Sequence, residues 1–127
     1  MVQKKNIQLA KLKESLAQFD KHIQQKEYTK AQNLMARLEK TNRNKAHIQE
    51  RQNLLTVKID QAVEKSYQSG LNQYSAENYQ RALNYWKRTL TLEPEHEKAL
   101  EYSQRAERIL KRLQQLRVKQ KVSPPSQ

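Results

Sequence analysis

Between Tyr79 and Ala99 the chain reads YQRALNYWKRTLTLEPEHEKA, and this stretch restricts the fold more than any other. Tyr79, Ala82, Trp86 and Leu90 lie three or four residues apart, so they share one face of a helix. Ala82 is small enough to let a neighbouring helix come close, and Trp86 one turn later fills the space beside it. Pro94 cannot continue that helix, so the chain must turn there. A further helix is expected to restart at once, with Pro94 at its first position and Glu95 and Glu97 at its positive end.

Upstream, Tyr67, Gly70 and Tyr74 keep the same kind of spacing. Together with Tyr79, Ala82, Trp86 and Pro94 they resemble the tetratricopeptide repeat (TPR), a helix-turn-helix unit of about 34 residues. The resemblance covers one complete repeat, about 63–96. A degenerate copy, about 12–45, carries Tyr28, Ala31, Met35 and Leu38 at the spacing of Tyr79, Ala82, Trp86 and Thr89. Two departures stand out. Glu77 and Asn78 replace the loop glycine common in the family, and Arg43 replaces the closing proline of the degenerate copy. The copies are offset by 51 residues rather than 34, so extra length is inserted between them.

An all-α chain of about five antiparallel helices follows. Leu9, Leu12, Leu16, Phe19 and Ile23 predict a first helix over 5–25, and Tyr28 to Leu38 a second over 28–41. Met35 is core filler in that helix. Asn44 is a candidate cap for a third helix over 45–75, about 45 Å long, with Asn53 a point where it could break. Its stripe runs through Ile48, Leu55, Ile59, Ala62, Val63, Tyr67, Leu71 and Tyr74. Gly70 lowers helix propensity, and close packing against the fourth helix, 78–92, is the natural reason for it. A fifth helix is expected over 95–119, on a stripe of Ala99, Tyr102, Ala106, Ile109, Leu113 and Leu116. Residues 1–121 are read as a single TPR-like domain and 122–127 as a disordered tail.

Composition excludes several classes of chemistry. One glycine in 127 residues leaves no phosphate-cradling loop, and the lack of cysteine excludes disulfides and thiolate metal sites. No run approaches the ~20 apolar residues of a transmembrane helix. The opening MVQKKNIQLAKLK has no apolar leader. The cytoplasm is therefore the default expectation, with periplasm or export the alternative for a domain excised from a longer chain. His22, His47 and His96 show no metal-ligand spacing, the acids no paired arrangement, and the serines no nucleophile-elbow context. The expectation is no enzyme, no metal and no cofactor.

The net charge of +12 sits at the ends: +6 over 1–44, zero over 45–104 and +6 over 105–127. A basic helical domain binding nucleic acid or an anionic surface is thus a competing reading, through Arg105, Arg108, Lys111, Arg112, Arg117, Lys119 and Lys121. A structural coiled-coil spacer, with a homodimer, is another. The leading expectation is the one the TPR resemblance implies, a non-catalytic protein–protein interaction scaffold whose ligand lies on the inner face of the first helix of each pair. Carried over by position, that face is Glu64, Tyr67, Leu71, Tyr74 and Ser75 in the complete repeat. In the degenerate copy it is Lys13, Leu16, Asp20, Ile23 and Gln24. Packing against neighbouring helices is the competing role for Tyr67, Leu71 and Tyr74. Tyr67 and Leu71 also stand where chaperone-binding relatives place a carboxylate clamp of Lys and Asn, so that clamp is not expected.

Leu113 and Leu116 extend the fifth stripe past the reach of the fourth helix. They are expected to pack on Ile48 and Leu55 of a third helix that folds back, with a dimer seam or flanking domains of a longer parent chain as alternatives. The tight register at Ala82 gives a first test. Ala82→Leu should overpack the helix contact and cost about 1–3 kcal/mol; an unchanged melting curve would place Ala82 at the surface.

Overall fold

The computed structural model describes the backbone of residues 2–41 and 45–122, and the side chains of residues 9–40 and 46–120. The fold is all-α. Among the described residues five helices follow one another: α1 (Val2–Gln24), α2 (Tyr28–Thr41), α3 (Lys45–Ser75), α4 (Tyr79–Leu92) and α5 (Glu97–Val122). The expected cap Asn44, its neighbour Arg43 and the tail after Val122 lie outside the described residues. Val122 itself closes α5 rather than opening the tail.

Two expectations about boundaries need correction. The helix α3 passes Asn53 without a break; the Asn53 side chain is held by Gln49 one turn earlier, Nε2 to Oδ1 at 3.0 Å. Pro94 is not the first residue of α5. It lies in a short turn closed by the His96 N–H on the Glu93 carbonyl at 3.2 Å, and α5 begins at Glu97. His96 is its cap. The ring Nδ1 accepts the Ala99 N–H at 3.0 Å, satisfying one of the donors that the first turn of a helix leaves free.

Within the span read as one domain, the contacts gather into two compact units, Met1–Gln61 and Ala62–Gln127. The first has a core of Leu12, Leu16 and Phe19 from α1, Ala31, Leu34, Met35 and Leu38 from α2, and Ile48 and Leu55 from α3. Ile23, Tyr28 and Ile59 pack around it. An exposed fork from Arg51 Nε and Nη2 to the two oxygens of Asp20, at 3.1 and 3.2 Å, also ties α3 to α1. Exposed pairs of this kind add little stability, so the apolar core holds the three segments together.

The second unit contains the end of α3, α4 and α5. Its core is Tyr67, Ala82, Trp86, Ala99 and Ala106, surrounded by Leu71, Tyr74, Tyr79, Leu83, Leu90 and Tyr102. Trp86 is fully buried, and its Nε1–H donates to the Tyr67 carbonyl at 3.2 Å. The Tyr74 ring touches Tyr79, Trp86 and Tyr102, with centroids 5.5, 5.8 and 5.6 Å away. The pairs Tyr74–Tyr79, Tyr67–Trp86 and Ser66–Thr89 step apart in opposite directions along the chain, so α3 and α4 are antiparallel. Thr89 is buried yet polar. Its hydroxyl meets that of Ser66 at 2.6 Å and also reaches the Tyr85 carbonyl at 3.2 Å. The buried hydroxyl thus keeps hydrogen-bond partners.

Both hairpins turn in the same way, and the match is atom for atom. After α1, Lys26 N–H bonds the Ile23 carbonyl at 3.1 Å and Glu27 N–H bonds the His22 carbonyl at 2.8 Å. After α3, Glu77 N–H bonds Tyr74 at 3.0 Å and Asn78 N–H bonds Gln73 at 2.8 Å. Each bond recurs 51 residues on. This is the Schellman pattern, which places one residue in the left-handed region. Here that residue is Lys26 at φ 60° and Glu77 at φ 63°.

Burial follows the same offset of 51. Leu12, Leu16 and Phe19 correspond to Val63, Tyr67 and Gly70, all buried. Ala31, Met35 and Leu38 correspond to Ala82, Trp86 and Thr89, and Ile48 and Leu55 to Ala99 and Ala106, again all buried. The inserted length is thereby explained. Residues 45–61 of α3 form the third helix of the first unit, and the same helix continues as the first helix of the second.

Two stability tests follow from the turn and the core. A Cβ at Gly70 would lie 2.6 and 2.7 Å from the Cδ1 and Cε2 atoms of the Trp86 indole. Gly70→Ala should therefore cost about 1–3 kcal/mol by overpacking, against a helix-propensity gain of roughly 1 kcal/mol. A lower melting temperature is expected, and a higher one would show that the ring shifts freely. At the turn, Glu77→Gly should relieve a left-handed strain of about 1–2 kcal/mol and lose about half of it to chain entropy. Chemical denaturation should show a raised midpoint; a lowered midpoint would mean that the Glu77 side chain makes a stabilising contact.

Candidate functional site

The inner-face residues split into two groups. In the second unit Tyr67 is buried, and Leu71 and Tyr74 pack around the core. The Tyr67 ring lies against that of the capping residue His96, with centroids 4.8 Å apart. Loss of solvent, then the neighbouring Tyr102, Glu64 and Glu101, push the Tyr67 hydroxyl above its ordinary pKa. Glu64 and Ser75 are exposed, and Glu64 accepts a hydrogen bond from Gln68 Nε2 at 3.0 Å. In the first unit Leu16 is core, Ile23 packs against it, and Asp20 is paired with Arg51. Lys13 and Gln24 are exposed.

The cause is the same in both copies. Ile48 and Leu55 of α3 join the core with Leu12, Leu16 and Phe19 in the first unit; Ala99, Tyr102 and Ala106 of α5 join Tyr67, Leu71 and Tyr74 in the second. A third helix thus covers the apolar part of the face on which the family carries its ligands. The residues left to solvent there are polar and few.

The expected internal partner of Leu113 and Leu116 is corrected by the same packing. Ile48 and Leu55 are committed to the core of the first unit. Leu113 and Leu116 are 39% and 50% exposed. The antiparallel neighbour of α5 stops too soon to cover them. Trp86 stands opposite Tyr102, at 5.7 Å between centroids, so Tyr79 at the start of α4 falls level with about residue 109 of α5. Ala106 is buried, Ile109 and Leu110 are half-buried, and every residue over 111–120 is exposed.

That free end of α5 is the candidate site. It carries Arg108, Lys111, Arg112, Arg117 and Lys119 around the two leucines, with Glu107 the one acid after Glu101. Upstream, Arg105 is engaged: its Nη2 bonds Glu101 at 2.7 Å and its guanidinium lies over Tyr102, 5.2 Å from the ring centre. The side chain of Lys121 lies outside the described ones.

The histidines have other duties. His22 Nδ1 is 3.4 Å from Glu27, whose carboxylate also takes Lys30 at 2.6 Å. Lys30 first, then His22, hold Glu27 below the ordinary carboxylate range. His47 is exposed, and His96 caps α5. Among the described residues no group of three or more His, Cys, Asp and Glu side chains could hold a metal ion, and no helix is long and apolar enough to cross a membrane. No protein-family model, curated protein or solved structure matches the chain.

Sequence reasoning missed the cap at His96, the Ser66–Thr89 pair and the left-handed conformation of the turn residues Lys26 and Glu77, although Glu77 stands in place of the loop glycine. The signal for the last was present: Lys26 and Glu77 are spaced by the same 51 residues as Tyr28 and Tyr79.

Proposed function

We propose that this chain is a non-catalytic protein–protein interaction scaffold built from TPR-like hairpins. The observation that carries the reading is the recurrence, 51 residues apart, of one turn geometry and one pattern of buried positions. Each copy is a helical hairpin with a third helix laid over it. Repeats of this kind stack supersecondary units whose exposed faces are free for partners, and chemistry is not required of them. The hairpin over 63–96 matches the length of the family's unit as well as its residue types.

The competing reading, binding to nucleic acid, draws on the five bases over 108–119. Those bases share their helix with two exposed leucines, which phosphate contact does not use. Any such binding should be weak and lost with salt, because it would rest on counterion release alone. Neutralising Lys111, Arg112, Arg117 and Lys119 should abolish it.

Affinity capture with the intact chain separates the two readings. At physiological salt the expected result is a stoichiometric protein partner that survives nuclease treatment. Capture that disappears with nuclease, or tight sequence-selective nucleic-acid binding, would overturn the scaffold reading.

A further inference from the structure

The exposed end of α5 has a narrow apolar stripe. On a heptad frame Ala99, Ala106, Leu113 and Gln120 fall at a, and Tyr102, Ile109 and Leu116 at d. The upper part of this seam, Ala99 to Ala106, is spent inside the second unit. From Ile109 onward the same seam continues without a neighbour on α4. Its edges are basic. Position g holds Lys98, Arg105, Arg112 and Lys119, and position e holds Ser103, half-buried Leu110 and then Arg117, beside Leu113 and Leu116.

These edges decide what can lie on the seam. A second copy in parallel would set Arg112 against Arg117 of the other chain, because g meets e′. A second copy in antiparallel would set Arg112 and Lys119 against each other, because g meets g′. Either way like charges face one another, which disfavours self-pairing. A bilayer surface calls for a broad, fully exposed apolar face, whereas this one has exposed Leu113 and Leu116, with Ile109 and Leu110 already half-buried at its upper end and Arg117 beside them. Val118, although 54% exposed, sits about 140° around the helix from Leu113 and widens nothing. A helix with apolar a and d positions and Glu or Asp at e and g meets both demands. It covers the leucines and pairs Arg112, Arg117 and Lys119.

We propose that the end of α5, from Ile109 to Gln120, is half of a heterotypic helix–helix seam whose partner is an acidic amphipathic helix. The inference deepens the scaffold reading by naming the chemistry of a partner, and rests on that reading only to that extent. The seam is short, under two heptads, so a micromolar affinity is expected rather than a tight one.

The test uses the full chain and two labelled peptides of about 21 residues, three heptads, with Leu at a and d. One carries Glu at every e and g position, the other Lys. Fluorescence anisotropy at about 150 mM salt should show the Glu peptide binding at least about tenfold more tightly. The charge reversal Arg112→Glu, Arg117→Glu and Lys119→Glu should weaken the Glu peptide by about tenfold or more and let the Lys peptide bind. Leu113→Ser with Leu116→Ser should abolish binding of both while leaving the helical circular dichroism intact, since both leucines are exposed.

Several results would sink the seam: equal binding of the two peptides, binding of neither, or a dimer in sedimentation that the double serine variant dissolves. Tighter binding to duplex DNA or to anionic vesicles than to the Glu peptide would do the same. The scaffold reading fails separately. A protein partner captured by the intact chain and retained by the double serine variant refutes this seam and leaves the scaffold standing.

Discussion

The indole of Trp86 rests on the bare backbone of Gly70, and the second unit is built outward from that contact. Because Gly70 has no side chain, α4 can bring a large ring against α3 and still bond its N–H to the Tyr67 carbonyl. The ring then meets Tyr74 and Tyr102, which also touch each other, so α3, α4 and α5 share one aromatic cluster. Alanines at 82, 99 and 106 keep the remaining distances short. The helix propensity lost at Gly70 is small beside the burial of an aromatic ring.

The first unit solves the same packing problem with the volumes transposed. Its counterparts of Gly70 and Trp86 are Phe19 and Met35, both buried in one core. The large ring comes from the first helix and a flexible side chain from the second. A further pair is exchanged at the edge: Asp20 and Arg51 stand where the second unit has Leu71 and Tyr102, an ion pair in place of two residues packed against the apolar core. Two cores of similar design thus use different chemistry at matched positions, as interiors do when total volume and pattern are kept. The turns are less free. Both copies place a residue with a Cβ in the left-handed region, and the hydrogen bonds around it hold it there.

Much of this was legible from local spacing. The bounds of the second and third helices follow from Tyr28, Lys45 and their apolar stripes, and no proline interrupts either. The start of α5 was misplaced because Pro94 suits a first helical position, whereas the cap is a histidine, a residue type that carries no strong capping signal. Thr89 fits the register of the apolar stripe, yet its partner Ser66 lies on another helix and no local rule announces it. The candidate site shows the same division. The continuity of the stripe through Leu113 and Leu116 is plain in the sequence. What covers it is tertiary, and Ile48 and Leu55, the residues best suited to do so by type, are used elsewhere. On the inner face, packing against neighbouring helices was legible as a role for Tyr67, Leu71 and Tyr74, whereas the choice between that role and a ligand surface is tertiary.

Trp86 is the one tryptophan in the chain and lies at the centre of the second unit, while five of the six tyrosines also belong to that unit. The molecule therefore carries its tryptophan and all its tyrosines but Tyr28 on one side of residue 61. Fluorescence excited at the red edge of the indole band follows the second unit alone, whereas far-ultraviolet circular dichroism sums over all five helices. Coincident unfolding curves from the two signals would mean that both units melt as one cooperative body; separated curves would assign the difference to the first unit, which the indole does not see.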